Sequence, residues 1–231
     1  MADYVSFYGF MLNYLHMLSK SGSRSDDAPT PEHGESSTDV QLVLSGYSFG
    51  SLIASNLPAI SVIADIFNGS VDSTAVGEIF LAARDMYGLS VGDTPQKKQA
   101  FAPQGACFID PTKTSISYLL ISPLLPPVSQ FLTLFSKLWL EVRDGPSGKQ
   151  REIPCPKPID QLCTCPTLAI YGDDDTFTSA SKLRKWTEEL KKVPGSKFQS
   201  VEVGGAGHFW REAGAESRAK DAVNNWLRQL S

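Results

Sequence analysis

The chain has little of what several protein classes require. Its 231 residues carry 21 Lys plus Arg against 25 Asp plus Glu, a net charge of −4, and the basic residues form no run. This balance argues against nucleic-acid binding.

The four cysteines, Cys107, Cys155, Cys163 and Cys165, form no Cys-x-x-Cys pair and have no histidine beside them. They therefore favour reduced thiols over a metal site.

An uninterrupted apolar run of about 20 residues, as a membrane-spanning helix needs, is also missing. The N-terminal stretch 1–18 has no basic start and is interrupted by Asn13 and His16, which is not typical of a signal peptide. The longest apolar region, 118–142, contains three prolines and a lysine. We therefore expect a cytoplasmic protein with no stable membrane span, in which the sequon at Asn68 has no role.

Hydrophobic periodicity alternates between short strands and longer helices. Strands are predicted at 40–44, 117–122, 167–172 and 198–203. Helices are predicted at 3–20, 50–67 with a break at Pro58, 76–87 and 178–192, with a last helix carrying Ala219 to Leu230. This alternation predicts a single α/β domain over 1–231, with a mainly parallel sheet flanked by helices.

Two regions between these elements are expected to be irregular. Residues 21–39, rich in Ser, Pro, Gly and charge, are predicted to form a mobile loop, in which His33 is solvated. Residues 118–160 are predicted to form a cap or loop region, with an apolar acyl site in its Leu- and Phe-rich part and a loop at 145–158. His16 belongs to the narrow polar stripe of the first helix and is predicted to be solvated as well.

Reactive side chains follow three of the predicted strands. In parallel α/β sheets, function gathers at the carboxyl ends of the strands. Ser48 follows the strand 40–44, an acidic run at 173–175 follows the strand 167–172, and His208 follows the strand 198–203.

The serine lies in a Gly-x-Ser-x-Gly sequence formed by Gly46, Tyr47, Ser48, Phe49 and Gly50. Between a strand and a helix, this pattern is typical of a nucleophile elbow. The sharp turn strains the backbone of the central residue, and the glycines remove side chains that would clash. The hydroxyl is then held above the sheet at the amino end of the helix, where negative charge is favoured.

A serine nucleophile needs a base held by a third group. Since His16 and His33 are predicted to be solvated, His208 is the remaining candidate for the base. The chain order Ser, Asp, His matches one of the known triad orders. The sequence leaves open whether Asp175 or Asp173 is the acid, and another carboxylate of the run would cap the helix that begins near Thr178.

Residues 40–56 and 165–231 resemble the α/β-hydrolase-fold superfamily, most of all small carboxylesterases and dienelactone-hydrolase-like members with a Gly-Tyr-Ser-Phe-Gly elbow. The resemblance implies a serine hydrolase of ester or related acyl substrates, with Ser48, Asp175 and His208 as its triad. The N–H of Phe49 would stabilise the oxyanion. Neither a metal nor an organic cofactor is implied.

The chain departs from this family before the elbow. A complete member has about eight strands with the elbow after the fifth, whereas one strand precedes Ser48 here. The missing part would include the second oxyanion donor, so we expect an N-terminally incomplete hydrolase with weak or lost activity. The alternatives are a non-catalytic binding or interaction protein and an acyltransferase with the same triad. An uncovered sheet edge would also favour self-association.

Overall fold

The computed structural model describes residues 2–22, 40–69, 74–90, 109–126, 128–129, 139–144, 149–154 and 156–230. Its helices and strands follow one another along the chain as α1 (Ala2–Gly22), β1 (Val40–Tyr47), α2 (Phe49–Ser55), α3 (Ile60–Gly69), α4 (Thr74–Ser90), β2 (Thr114–Ile121), β3 (Trp139–Asp144), β4 (Lys149–Pro154), α5 (Pro158–Thr164), β5 (Thr167–Gly172), α6 (Ala180–Lys191), β6 (Phe198–Val203) and α7 (Ala215–Leu227).

The four predicted strands are confirmed as β1, β2, β5 and β6, and β5 and β6 have the predicted bounds. The apolar stretch after the elbow is divided into α2 and α3 around Pro58. A proline disfavours helical geometry in the residue before it, which explains the break. The prediction of a loop at 145–158 is wrong, because β4 lies there and pairs with β3 in a separate two-stranded sheet.

The main sheet contains four parallel strands in the order β1-β2-β5-β6. The register pairs Tyr118 of β2 with Thr167 of β5, and Thr167 in turn with Phe198 of β6. Every residue of β5 is buried, as expected for a strand covered on both faces. All four strands end at one edge of the sheet, so the residues that follow them are brought together there.

The chain divides into two compact units. Unit 1 comprises residues 1–41, 58–115 and 140–153, and unit 2 comprises residues 42–57, 116–139 and 154–231. This division does not test the prediction of a single domain, which stays a prediction. The residues predicted to carry chemistry all belong to unit 2.

Unit 2 has a core in which α7 covers one face of β5 and β6. Trp226 of α7 is 2% exposed and packs with Leu168, Ile170 and Val203. On α6, Leu183 and Leu190 are buried, while the indole of Trp186 packs edge-on against Phe198. The apolar side chains that recur along α6 and α7 therefore form packing surfaces.

In unit 1, α1 packs against α3 and α4. The polar stripe of α1 includes Gly9, where a Cβ would lie 2.0 Å from the ring of Phe67 on α3. Glycine at this position therefore allows the close approach of a phenylalanine ring.

The prediction that His16 is solvated is wrong. Its side chain is 2% exposed, and its Nε2 lies 3.0 Å from the hydroxyl of Thr114. Because Thr114 donates its only hydroxyl hydrogen to the carbonyl of Asp110 at 2.8 Å, it accepts from His16. Asn13 of the same stripe is 4% exposed and donates to the carbonyl of Gly9. Periodicity locates a polar face, but polar residues with internal partners can face the core.

Several predictions fall on residues outside those described, namely His33, Cys107, Cys155, most of the loop 21–39 and residues 130–138 of the predicted apolar acyl site. Among the described residues, no single helix is long and apolar enough to cross a membrane. The helices on either side of Pro58 meet that test only when they are taken together across their bend.

Candidate active site

Ser48 occupies a strained turn between β1 and α2. Its backbone has φ 54° and ψ −118°, a left-handed φ that residues with a side chain rarely adopt. Its N–H donates to the carbonyl of Ile121 at the end of β2 over 2.8 Å. Since strain of this kind persists only where the surroundings enforce it, the neighbouring strand holds the serine in this conformation.

The glycines around Ser48 allow two parts of the backbone to meet. A Cβ on Gly46 would lie 2.2 Å from the carbonyl carbon and oxygen of Gly50 and 2.4 Å from the nitrogen of Ser51. No side chain fits in this space. The hydroxyl of Ser51 also donates to the carbonyl of Ser48 at 2.6 Å, which fixes the first turn of α2.

The imidazole of His208 lies between Ser48 and Asp175. Its Nε2 is 2.8 Å from Ser48 Oγ, and its Nδ1 is 2.7 Å from Asp175 Oδ2. The side chains of His208 and Asp175 are 2% and 1% exposed. An ionised carboxylate only accepts, so Nδ1–H donates to Asp175 and the Nε2 lone pair faces the serine hydroxyl. The structure thus brings together the three side chains predicted from the sequence.

The carboxylate of Asp175 is itself held by the backbone. Its Oδ1 accepts from the N–H groups of Phe177 at 2.8 Å and Thr178 at 3.0 Å, which leaves Oδ2 for the imidazole. Asp173 makes a different contact, accepting from the N–H of Gly205 at 2.5 Å. The side chain of Asp174 is exposed. Of the three acidic residues, Asp175 is the one that contacts the imidazole.

Aromatic side chains surround the imidazole. The ring centroid of His208 lies 4.4 Å from that of Phe177, 5.3 Å from Phe209 and 5.6 Å from Tyr47. These three residues are 44% to 57% exposed, so each also faces outward. The site therefore combines a buried, hydrogen-bonded imidazole–carboxylate pair with an accessible aromatic surface.

Partial burial raises the pKa of the Tyr47 phenol, and the negative charge of Asp175 raises it further, while Arg211 opposes both effects. The phenol therefore keeps its proton at neutral pH. Its O–H donates to the backbone carbonyl of His208 at 2.9 Å. The sequence indicated Tyr47 only as part of the elbow, and this contact was not predicted.

Phe49, whose N–H was predicted as an oxyanion donor, is the first residue of α2 and directly follows Ser48. An N–H in the first turn of a helix has no partner within the helix. It is therefore available to a negative charge that develops next to Ser48.

Trp210, which the sequence indicated as an anchor of the His208 loop, and Ser122, which sequence reasoning missed, also lie at the site. Ser122 directly follows β2 and is fully buried, and its hydroxyl lies 2.9 Å from the indole Nε1 of Trp210. The position of Ser122 at the carboxyl end of a strand was the available signal, the same one that pointed to Ser48, Asp175 and His208.

Within the residues described, no group of three or more His, Cys, Asp or Glu side chains is arranged to hold a metal ion. Cys163 is buried, Cys165 is partly buried, and both are free thiols.

No protein-family model and no curated protein matches this chain. Among solved structures, the chain is similar to Est1E from Butyrivibrio proteoclasticus, with 13% sequence identity over 58% of this chain and 67% of that one and a TM-score of 0.29. A likeness this distant says nothing about activity. The fold itself is α/β, with a parallel sheet flanked by helices.

Proposed function

We propose that this protein is a serine hydrolase that cleaves carboxylic esters through an acyl-enzyme intermediate. The observation that carries the proposal is the hydrogen-bonded line from Ser48 Oγ through the imidazole of His208 to Asp175, with distances of 2.8 and 2.7 Å. The strained conformation of Ser48 supports the same conclusion, because such strain clusters at active sites.

The first half-reaction forms the acyl-enzyme. Ser48 Oγ attacks the ester carbonyl carbon while His208 Nε2 takes the hydroxyl proton, and the carbonyl oxygen becomes an oxyanion. Asp175 stabilises the imidazolium that forms, and the N–H of Phe49 faces the oxyanion. When the tetrahedral intermediate collapses, the bond to the alcohol oxygen breaks, and Nε2 returns the proton to the leaving alcohol.

The second half-reaction releases the acid. A water molecule takes the place of the alcohol, gives a proton to His208 Nε2 and attacks the acyl carbon. The bond to Ser48 Oγ then breaks, and the serine recovers its proton from the imidazolium. This cycle uses the three side chains, the backbone N–H of Phe49 and one water molecule, and it involves no redox step.

The surface next to the serine favours substrates with an apolar group close to the ester. Phe177, Phe209 and Tyr47 expose their rings beside the imidazole. Aromatic faces gain free energy when they cover apolar surface, whereas small polar acyl groups cover little of them. We therefore expect kcat/KM to rise with acyl length in a series of nitrophenyl esters.

The test compares Ser48→Ala with the wild type and with Ser217→Ala, which removes an exposed hydroxyl on α7. Ser48→Ala is expected to lower kcat by at least about 10⁴-fold, since loss of a triad serine removes the nucleophile. Ser217→Ala is expected to stay within about 2-fold of the wild type. Turnover that persists in Ser48→Ala would refute the assignment, and a folded wild type without turnover would favour a non-catalytic protein.

A further inference from the structure

Three residues other than glycine have a positive φ among the residues described, and all three lie at the site. They are Ser48 at 54°, Ser122 at 47° and Trp210 at 57°. The strain at Ser48 belongs to the elbow. Ser122 and Trp210 take no part in the proton transfers of the proposed reaction, so their strain requires another explanation.

A chain of hydrogen bonds joins Trp210 and Ser122 to the backbone of His208. The indole N–H of Trp210 can only donate, so at 2.9 Å Ser122 Oγ accepts from it. The carbonyl of His208 can only accept, so it receives the hydroxyl of Ser122 at 3.4 Å and the phenol of Tyr47 at 2.9 Å. The hydroxyl groups of Ser122 and Tyr47 therefore both donate to the carbonyl oxygen of His208.

The loop that carries His208 is rich in glycine. It contains Gly204, Gly205 and Gly207, and Gly205 has φ +68° with open space around the position of a Cβ. Glycines leave a backbone free to take many conformations. The imidazole must nevertheless stay 2.8 Å from Ser48 Oγ to accept its proton.

We propose that Ser122, Tyr47 and Trp210 form a His208 clamp, a set of positioning residues that fixes the His208 peptide and thereby aims Nε2 at Ser48. The inference rests on the proposed function, since it assigns these residues to the same reaction. The side chain of Ser122 is fully buried, so substrate does not touch it. Its removal therefore acts on kcat through the imidazole and leaves KM unchanged.

The diagnostic variant is Ser122→Ala, which removes the hydroxyl that links Trp210 to the His208 carbonyl. We expect kcat to fall about 10-fold or more, because a small misplacement of a catalytic group costs up to 10²-fold. Trp210→Phe keeps a ring but removes the N–H, and it should lower kcat in the same direction. Because both substitutions break the same chain of bonds, the double variant should fall by less than the product of the two single effects.

The control is Ser55→Ala, which removes another buried hydroxyl, one whose hydrogen bonds among the described residues are to Leu52 and Asn56. Its kcat is expected to stay within about 2-fold of the wild type. Ser122→Gly provides a second variant in case Ser122→Ala does not fold. It lacks the same hydroxyl, but glycine tolerates φ 47°, so its Tm should exceed that of Ser122→Ala by about 2–4 °C. If Ser122→Gly is more stable than Ser122→Ala but has no higher kcat, the loss of activity comes from the missing hydroxyl and not from reduced folding stability.

A readout that needs no turnover is the NMR resonance of the proton between His208 Nδ1 and Asp175. This proton is shielded from exchange because both side chains are nearly buried. If the His208 clamp fixes the ring, Ser122→Ala shifts or broadens this resonance, whereas Ser55→Ala does not.

The outcomes separate the two proposals. In one outcome, the wild type turns over esters through Ser48, but kcat in Ser122→Ala and Trp210→Phe is within 2-fold of that in Ser55→Ala. This result overturns the clamp and leaves the proposed function standing. A wild type without turnover overturns the proposed function, and the NMR resonance then decides the clamp. A resonance unchanged in Ser122→Ala overturns it, and a shifted or broadened one supports it.

Discussion

Replacing Asp175 with asparagine changes one acceptor into a donor at the atom that faces His208. The Oδ1 position keeps its bonds to the N–H groups of Phe177 and Thr178, so the turn that follows β5 is expected to survive. The amide nitrogen takes the place of Oδ2, 2.7 Å from His208 Nδ1. Since an amide N–H needs an acceptor there, the imidazole turns to the tautomer that carries its hydrogen on Nε2.

A hydrogen on Nε2 leaves no lone pair to accept the proton of Ser48. In a serine protease with the same arrangement, this substitution lowers kcat by about 10⁴-fold. We therefore expect Asp175→Asn to lower kcat by about 10³- to 10⁴-fold, which corresponds to about 4–5.5 kcal/mol in the activation free energy. The measurement is steady-state hydrolysis of a nitrophenyl ester, with circular dichroism to show that the variant is folded.

Two matched controls come from the same acidic run. Asp174→Asn changes an exposed side chain and should leave kcat within about 2-fold of the wild type. Asp173→Asn keeps an oxygen that can accept from Gly205, so we expect a similarly small effect. If Asp173→Asn abolished turnover while Asp175→Asn remained active, the acid would be Asp173 and the reasoning from the imidazole contact would be refuted.

Three further predictions concern the backbone around the site. Gly46→Ala should lower the free energy of unfolding by about 3 kcal/mol or more, because its Cβ would meet the backbone of Gly50. An unchanged midpoint of urea unfolding would contradict this prediction. Ser48→Gly should be more stable than Ser48→Ala by about 1 kcal/mol, since glycine accepts φ 54°. A Tm of Ser48→Gly equal to or lower than that of Ser48→Ala would argue against backbone strain at this position. Hydrogen bonds from the backbone, chiefly the Gly207 N–H, hold the pKa of Glu212 below its usual value of 4.5. The stability that this bond provides is present above pH 4.5 and is lost as the pH falls through the lowered pKa, so Glu212→Gln should flatten the acid side of the stability profile.

The sequence was sufficient for the parts of the fold that have a strong local pattern. The strands at 167–172 and 198–203 are short apolar or alternating runs bounded by turn residues, and both have the predicted bounds. The break at Pro58 follows from the chemistry of one residue. The β3 and β4 strands were missed because both sequences carry charges and β4 ends in a proline, features that also suit a loop.

Polar residues in the interior were harder to predict. His16 lies on a polar stripe that periodicity assigns to solvent, yet it is buried because Thr114, 98 residues away in sequence, offers it a hydroxyl. The bond between Ser122 and Trp210 spans 88 residues in the same way. Such partners depend on tertiary contacts, and no local pattern encodes them. The elbow motif, in contrast, reports a local backbone constraint at Gly46 and could be recognised directly.

Fluorophosphonate labelling measures whether Ser48 is an activated nucleophile. The measurement is peptide mapping by mass spectrometry after treatment with a fluorophosphonate, carried out on the wild type and on His208→Gln. The triad assignment predicts one adduct in the wild type, on the peptide that contains Ser48, formed at least about 10²-fold faster than in His208→Gln because the imidazole takes the serine proton. An adduct on another serine, or equal labelling rates in the two proteins, would contradict it.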